Sequence, residues 1–131
     1  MNSNQKYKSK YFKYKAKYLN LIKSSNKLKG GNQKYIYDRQ FGSYGSNDGE
    51  FMYPSGITQL MNGNIVVCDT GNNRIQIFDK YGKFIGKFGS LGKENTQLNH
   101  PIDVMQFKND CIAICDSGND RIQIFDISGF V

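Results

Sequence analysis

The sequence predicts an all-β fold: two four-stranded blades of an incomplete propeller, preceded by a basic N-terminal helix. Three observations carry this. The string Asp69-Thr-Gly-Asn-Asn-Arg-Ile-Gln-Ile-Phe-Asp79 returns as Asp116-Ser-Gly-Asn-Asp-Arg-Ile-Gln-Ile-Phe-Asp126, 47 positions on. The same offset relates Phe41-Gly42 to Phe88-Gly89, Gly45 to Gly92, Pro54 to Pro101 and Gly82 to Gly129. Between these landmarks lie short β-branched runs separated by turn residues, and a period of about 40–50 residues built this way indicates propeller blades rather than helical arrays.

The elements follow in order. Residues 1–31 form a Lys/Tyr-rich leader, with a helix expected over 5–29. Tyr7, Tyr11, Tyr14, Tyr18, Leu21 and Leu28 follow steps of four and three along one face, and lysines surround them. Gly30-Gly31 ends the helix. Like charges four residues apart, with no acid to offset them, leave it marginal until it meets an acidic partner. Residues 34–131 form the partial propeller, with repeats at about 41–88 and 88–131. Lys34 to Phe41 has the place of a fourth strand whose own blade is missing. The first blade then runs Ile57–Leu60, Asn64–Asp69, Arg74–Asp79 and Lys83–Phe88, with a primed two-residue turn expected at Asn62-Gly63. The second supplies three strands over 101–126 and only Phe130-Val131 for a fourth. Strands apolar on both faces, such as Ile65 to Cys68, suit a sheet covered on both sides.

Charge divides the chain. Residues 1–34 carry ten Lys and no acid, whereas residues 35–131 carry eight Lys or Arg against eleven Asp or Glu, within a net charge of +7. The basic character therefore belongs to the leader, where Lys6, Lys8, Lys10, Lys13, Lys15 and Lys17 are candidates for binding an acidic partner or nucleic acid. Three cysteines without a CxxC pair, together with a single histidine, His100, provide no metal-ligand set. Cys68 and Cys115 are repeat-equivalent and read as small buried hydrophobes. No secretory signal and no 18-residue apolar span is present, so an intracellular, cytoplasmic protein is expected.

A strand ending in Asp, followed by Thr/Ser-Gly-Asn-x-Arg-Ile-Gln-Ile-Phe-Asp, x-x-Gly and Phe-Gly, resembles the NHL repeat of β-propeller proteins. Both copies match over residues 41–131, and the absence of tryptophan disfavours WD40 and kelch blades. The repeated residues Asp69, Gly71, Asn72, Arg74 and Asp79, with Asp116, Gly118, Asn119, Arg121 and Asp126, read as blade-building residues. Asp69 and Asp116 are expected to accept N–H groups of the loop that follows them. Gly71 and Gly118, with Asn72 and Asn119, are expected to take positive φ. Arg74 and Arg121 are expected to pair with a nearby carboxylate, and His100 reads as an ordinary loop residue. The Lys/Tyr run ending in Gly-Gly resembles leaders on many proteins of giant DNA viruses, which implies a viral protein of the host cell or virion whose leader is targeted or processed.

Closed propellers need at least about four blades, so an array this short exposes an edge at each end. Strand 34–41 of one chain could complete the second blade of another, giving a head-to-tail homo-oligomer, with the truncated remnant of a longer propeller as the alternative. The resemblance implies a non-catalytic interaction module, a protein-binding scaffold that needs no cofactor. Binding of nucleic acid or an acidic surface through the leader is the alternative, and a metal-dependent propeller enzyme ranks below it. No catalytic, cofactor-binding or metal-ligating residues can be nominated from the sequence.

Overall fold

The computed structural model describes residues 36–108 and 110–130. The chain divides at Asp38–Arg39 into two units. The leader, with its expected helix and Lys6, Lys8, Lys10, Lys13, Lys15 and Lys17, lies outside the described residues. Of the first unit only residues 36–38 are described, and they carry no regular secondary structure.

The second unit is all strand and turn among its described residues. A parallel pair, β1 (Ser43–Tyr44) and β2 (Glu50–Phe51), opens it. The first blade follows as an antiparallel meander of β3 (Pro54–Gln59), β4 (Ile65–Asp69), β5 (Arg74–Phe78) and β6 (Phe84–Phe88). The second contains β7 (Pro101–Lys108), β8 (Cys111–Asp116) and β9 (Arg121–Asp126). An isolated parallel bridge between Leu91 and Leu98 repeats the β1–β2 pair at the same offset.

The core is the contact between the blades. Val66, Cys68, Ile75 and Ile77 alternate along β4 and β5 onto one face, and with Leu60 they pack against Leu98, Val104, Ile112, Ile114 and Ile127. The opposite face of β5 carries Gln76 and Phe78, and Phe78 lies at 5.0 Å from the Phe41 ring and 5.5 Å from that of Phe51. Phe88 meets Phe125 at 4.8 Å in the equivalent place.

Three expectations about the sheet are corrected. Residues 36–41 form no strand, because Phe41 is drawn into the Phe51–Phe78 ring cluster rather than into a ladder. The chain at Phe130 is not a fourth strand: Ser128–Phe130 is a 3₁₀ turn. There the Ile127 N–H reaches Asp110 O at 2.7 Å and the Phe130 ring occupies the space above Gly86, where a Cβ would lie 2.5 Å from it. The Asn62-Gly63 connection is not a primed two-residue turn. Leu60 donates to Asn64 O, Gly63 donates to Leu60 O, and only Gly63 takes positive φ, at 94°, which makes a three-residue loop closed by a glycine bulge.

Candidate functional site

The repeated motif assembles one polar knot per blade. Asp69 ends β4 fully buried, and its carboxylate accepts from Met52 N–H at 2.8 Å, Arg74 Nε at 2.6 Å and Gln76 Nε2 at 3.0 Å, with Asn72 Nδ2 beside it. Arg74 also donates from Nη1 to Ser46 O and from Nη2 to Asn47 O and Glu50 O. Asn72 also reaches Gly45 O. The guanidinium thus pulls the 42–51 loop down over the blade. Its bonds to these backbone carbonyls are charge-assisted, which fixes the loop more firmly than neutral donors would.

The second blade repeats the arrangement around its carboxylate. Asp116 accepts from Asn99 N–H, Asn119, Arg121 and Gln123, and Arg121 donates to Lys93 O, Glu94 O and Gln97 O. Burial alone would raise the Asp116 carboxyl. The converging donors of Asn99, Asn119, Arg121 and Gln123 outweigh that and hold it below the ordinary carboxylate range. Asp79 and Asp126 serve the next turn instead. Asp79 accepts from Tyr81 and Lys83 N–H and Asp126 from Ser128 N–H, and these donors lower both carboxyls.

Three roles differ from expectation. Asp69 and Asp116 bind the backbone N–H of the preceding loop, at Met52 and Asn99, and hold the loop that follows through the side-chain amides of Asn72 and Asn119, not through its N–H groups. Positive φ falls on Asn73 and Asp120, both at 52°, and not on Gly71, Gly118, Asn72 or Asn119. The two glycines are needed for clearance: a Cβ on Gly71 would meet Met52 at 2.6 Å and one on Gly118 would meet Asn99 at 2.5 Å. Gln76 and Gln123 are knot members that the motif reading passed over. Their signal was a polar residue inside an otherwise apolar Ile-x-Ile-Phe strand.

The motif side chains Asp69, Asn72, Arg74 and Gln76 and their equivalents are held in the knots, and Asp79 and Asp126 in the turns that follow. Among the described residues no group of three His, Cys, Asp or Glu side chains is placed to hold a metal ion. Cys68 is fully buried and its thiol is pushed up to about 12 by burial first, then by the neighbouring Asp103 and Cys115. His100 joins the blades through its backbone N–H to Asn73 Oδ1, and its ring bonds to the neighbouring Asn99 Oδ1. Among the described residues, the side of the second blade turned away from the first stands open. Met105, Phe107, Ile122 and Ile124 are exposed there, beside a groove of about 420 Å³ along β9 between residues 95–96 and 121–125.

The NHL repeat model matches residues 51–78. That span runs from Phe51 through the first knot to Phe78, and the second blade repeats its motif. Over 52 residues the chain is 52% identical to the B-box type zinc finger protein ncl-1 of Caenorhabditis elegans, covering 40% of this chain and 6% of that protein. It is 50% identical over 52 residues to Protein brain tumor of Drosophila melanogaster, covering 40% and 5%. To the E3 ubiquitin-protein ligase TRIM71 of Bos taurus it is 48% identical over 44 residues, covering 34% and 5%. The chain therefore matches only a small part of each of these relatives. Among the described residues no helix is long and apolar enough to cross a membrane.

Proposed function

We propose that this chain is a non-catalytic NHL-repeat interaction module, a protein-binding scaffold. One observation carries the reading: Ile122 and Ile124 are 62% and 56% exposed, although their repeat equivalents, Ile75 and Ile77, are fully buried. An apolar blade face left open in one repeat and covered in the other is a surface suited to a protein partner. The ligase activity named for TRIM71 belongs to a protein of which this match covers 5%, and it forms no part of the proposal. The test compares cross-linked partners of the wild-type chain with those of Ile122→Lys and Ile124→Lys. Specific partners lost in both variants support the reading, and an unchanged set overturns it. Metal analysis of the purified protein tests its non-catalytic part, since a stoichiometric, tightly held ion would favour a metal-dependent enzyme.

A second reading is favoured by the charge distribution. Ten Lys without an acid in residues 1–34 suit binding of nucleic acid or an acidic surface through the leader. It predicts salt-sensitive, sequence-indifferent binding that disappears when residues 1–31 are deleted, and binding that survives the deletion overturns it.

A further inference from the structure

We propose that the open face of the second blade seats the first blade of another copy of this chain, joining chains head to tail through the same interface that each already holds internally. This rests on reading that face as a protein-binding surface, and it names the partner.

The internal interface is the template. The face made by Leu60, Val66, Cys68, Ile75 and Ile77 is covered by a blade that presents Val104, Ile112 and Ile114. At an offset of 47 residues, Phe107, Ala113, Cys115, Ile122 and Ile124 form the same face on the second blade, where Phe107, Ile122 and Ile124 are exposed. The matching outer side of the first blade presents Ile57, 62% exposed, where its equivalent Val104 is 4% exposed. Val67, the equivalent of Ile114 on that side, is already only 5% exposed, so among the described residues Ile57 is what the first blade offers and Phe107, Ile122 and Ile124 are what the second offers.

The polar contacts transfer as well. Between the blades, Thr70 donates to Pro101 O at 2.7 Å, His100 N–H to Asn73 Oδ1 at 2.9 Å, Met61 N–H to Gln106 Oε1 at 2.8 Å and Ser55 to Ile102 O at 2.9 Å. Shifted by one repeat, Ser117 faces the Pro54 carbonyl of the incoming copy, Asp120 its Tyr53 N–H, and the Lys108 N–H its Gln59. Each pair keeps a donor opposite an acceptor. Gln59 spends its amide N–H on Gly63 O, which leaves the oxygen to accept. Only Ser55 loses its hydroxyl, to Ile102. One position opposes close seating. Gly56 lies against the backbone of Asp103, where a Cβ would be 2.6 Å from Asp103 Cα, and its equivalent on the second blade is Asp103 itself. The intermolecular seat is therefore looser than the internal one. Such a contact is heterologous, so it closes into a ring or grows, according to its angle.

Sedimentation equilibrium of the full chain is the test. The wild type is expected to associate, and Ile57→Lys and Ile124→Lys are each expected to be monomeric, since each destroys one half of the interface. Mixed, the two variants retain one good pair of faces and form a one-to-one complex that goes no further. Asp103→Gly restores the close approach and tightens self-association. A monomeric wild type, a wild-type oligomer that both lysine substitutions leave intact, or a mixture that stays monomeric would each overturn the proposal. Ile57→Ser and Ile122→Ser repeat the test if a lysine variant loses its sheet signal in circular dichroism. A monomeric wild type that still loses cross-linked partners on Ile124→Lys overturns self-association alone and leaves the protein-binding reading standing.

Discussion

Arg-Ile-Gln-Ile-Phe occurs in both blades, yet the two copies live in different surroundings. In the first, Ile75 and Ile77 are fully buried and the Arg74 side chain is 8% exposed. In the second, Ile122 and Ile124 lie largely in solvent and the Arg121 side chain is 29% exposed. The bonds from Arg and Gln to the buried carboxylate recur in both knots, so the motif is not what differs. β6 covers one edge of β5 and the second blade covers its face, whereas β9 has neither neighbour among the described residues. A repeat encodes its own fold locally but borrows its burial from the next unit.

Removing the knot carboxylate should break this comparison most visibly. Asp69→Ala strands a buried guanidinium and is expected to cost about 3–5 kcal/mol. Asp116→Ala leaves Arg121 able to recover water, with an expected cost of about 1–3 kcal/mol. Urea denaturation measures both, and equal losses would mean that the extra exposure of Arg121 counts for nothing. Next come the isoleucines: Ile77→Ala should cost about 2–5 kcal/mol, as a core truncation does. Ile124→Ala should stay within about 0.5 kcal/mol in monomeric protein. A large loss at Ile124 would show that the face is already covered.

Acid sharpens the contrast further. Because the folded Asp116 carboxyl sits below its unfolded value, its stabilisation is complete above the unfolded pKa and is lost as pH falls through the folded one. Thermal melts below about pH 4 should therefore lose stability less steeply in Asp116→Asn than in the wild type. An identical slope would remove Asp116 from the acid response. The smallest effect concerns the thiols. Cys68 should resist a thiol reagent at pH 8 in the native state, while the partly exposed Cys111 and Cys115 react. Mass spectrometry counts the labels, and prompt modification of Cys68 would show that the blades open.

The strands and the repeat were legible because β-branched runs between Asn, Asp and Gly turns leave few other conformations, and a long string used twice fixes its own register. The Arg74 and Arg121 pairings with carboxylates were legible too, since a buried guanidinium requires one. The function of Gly71 and Gly118 was not. Their need for clearance comes from Met52 and Asn99, which lie 19 residues earlier in the chain. Nor could the knot's reach into the 42–51 loop be read, because carbonyls carry no side-chain signature. The strand expected at 34–41 failed over its described part, 36–41, for the same kind of reason: Phe41 fits a ladder by pattern, but the Phe51 and Phe78 rings offered it a better partner.

Local chemistry alone determined the blade, its meander order and the ionic pair at the end of each second strand, since those follow from residue types a few positions apart. Which isoleucines are dry, which carbonyls the arginines clasp and which face stands open were decided only in three dimensions. Burial is a property of the neighbour as much as of the residue, and identical segments met different neighbours.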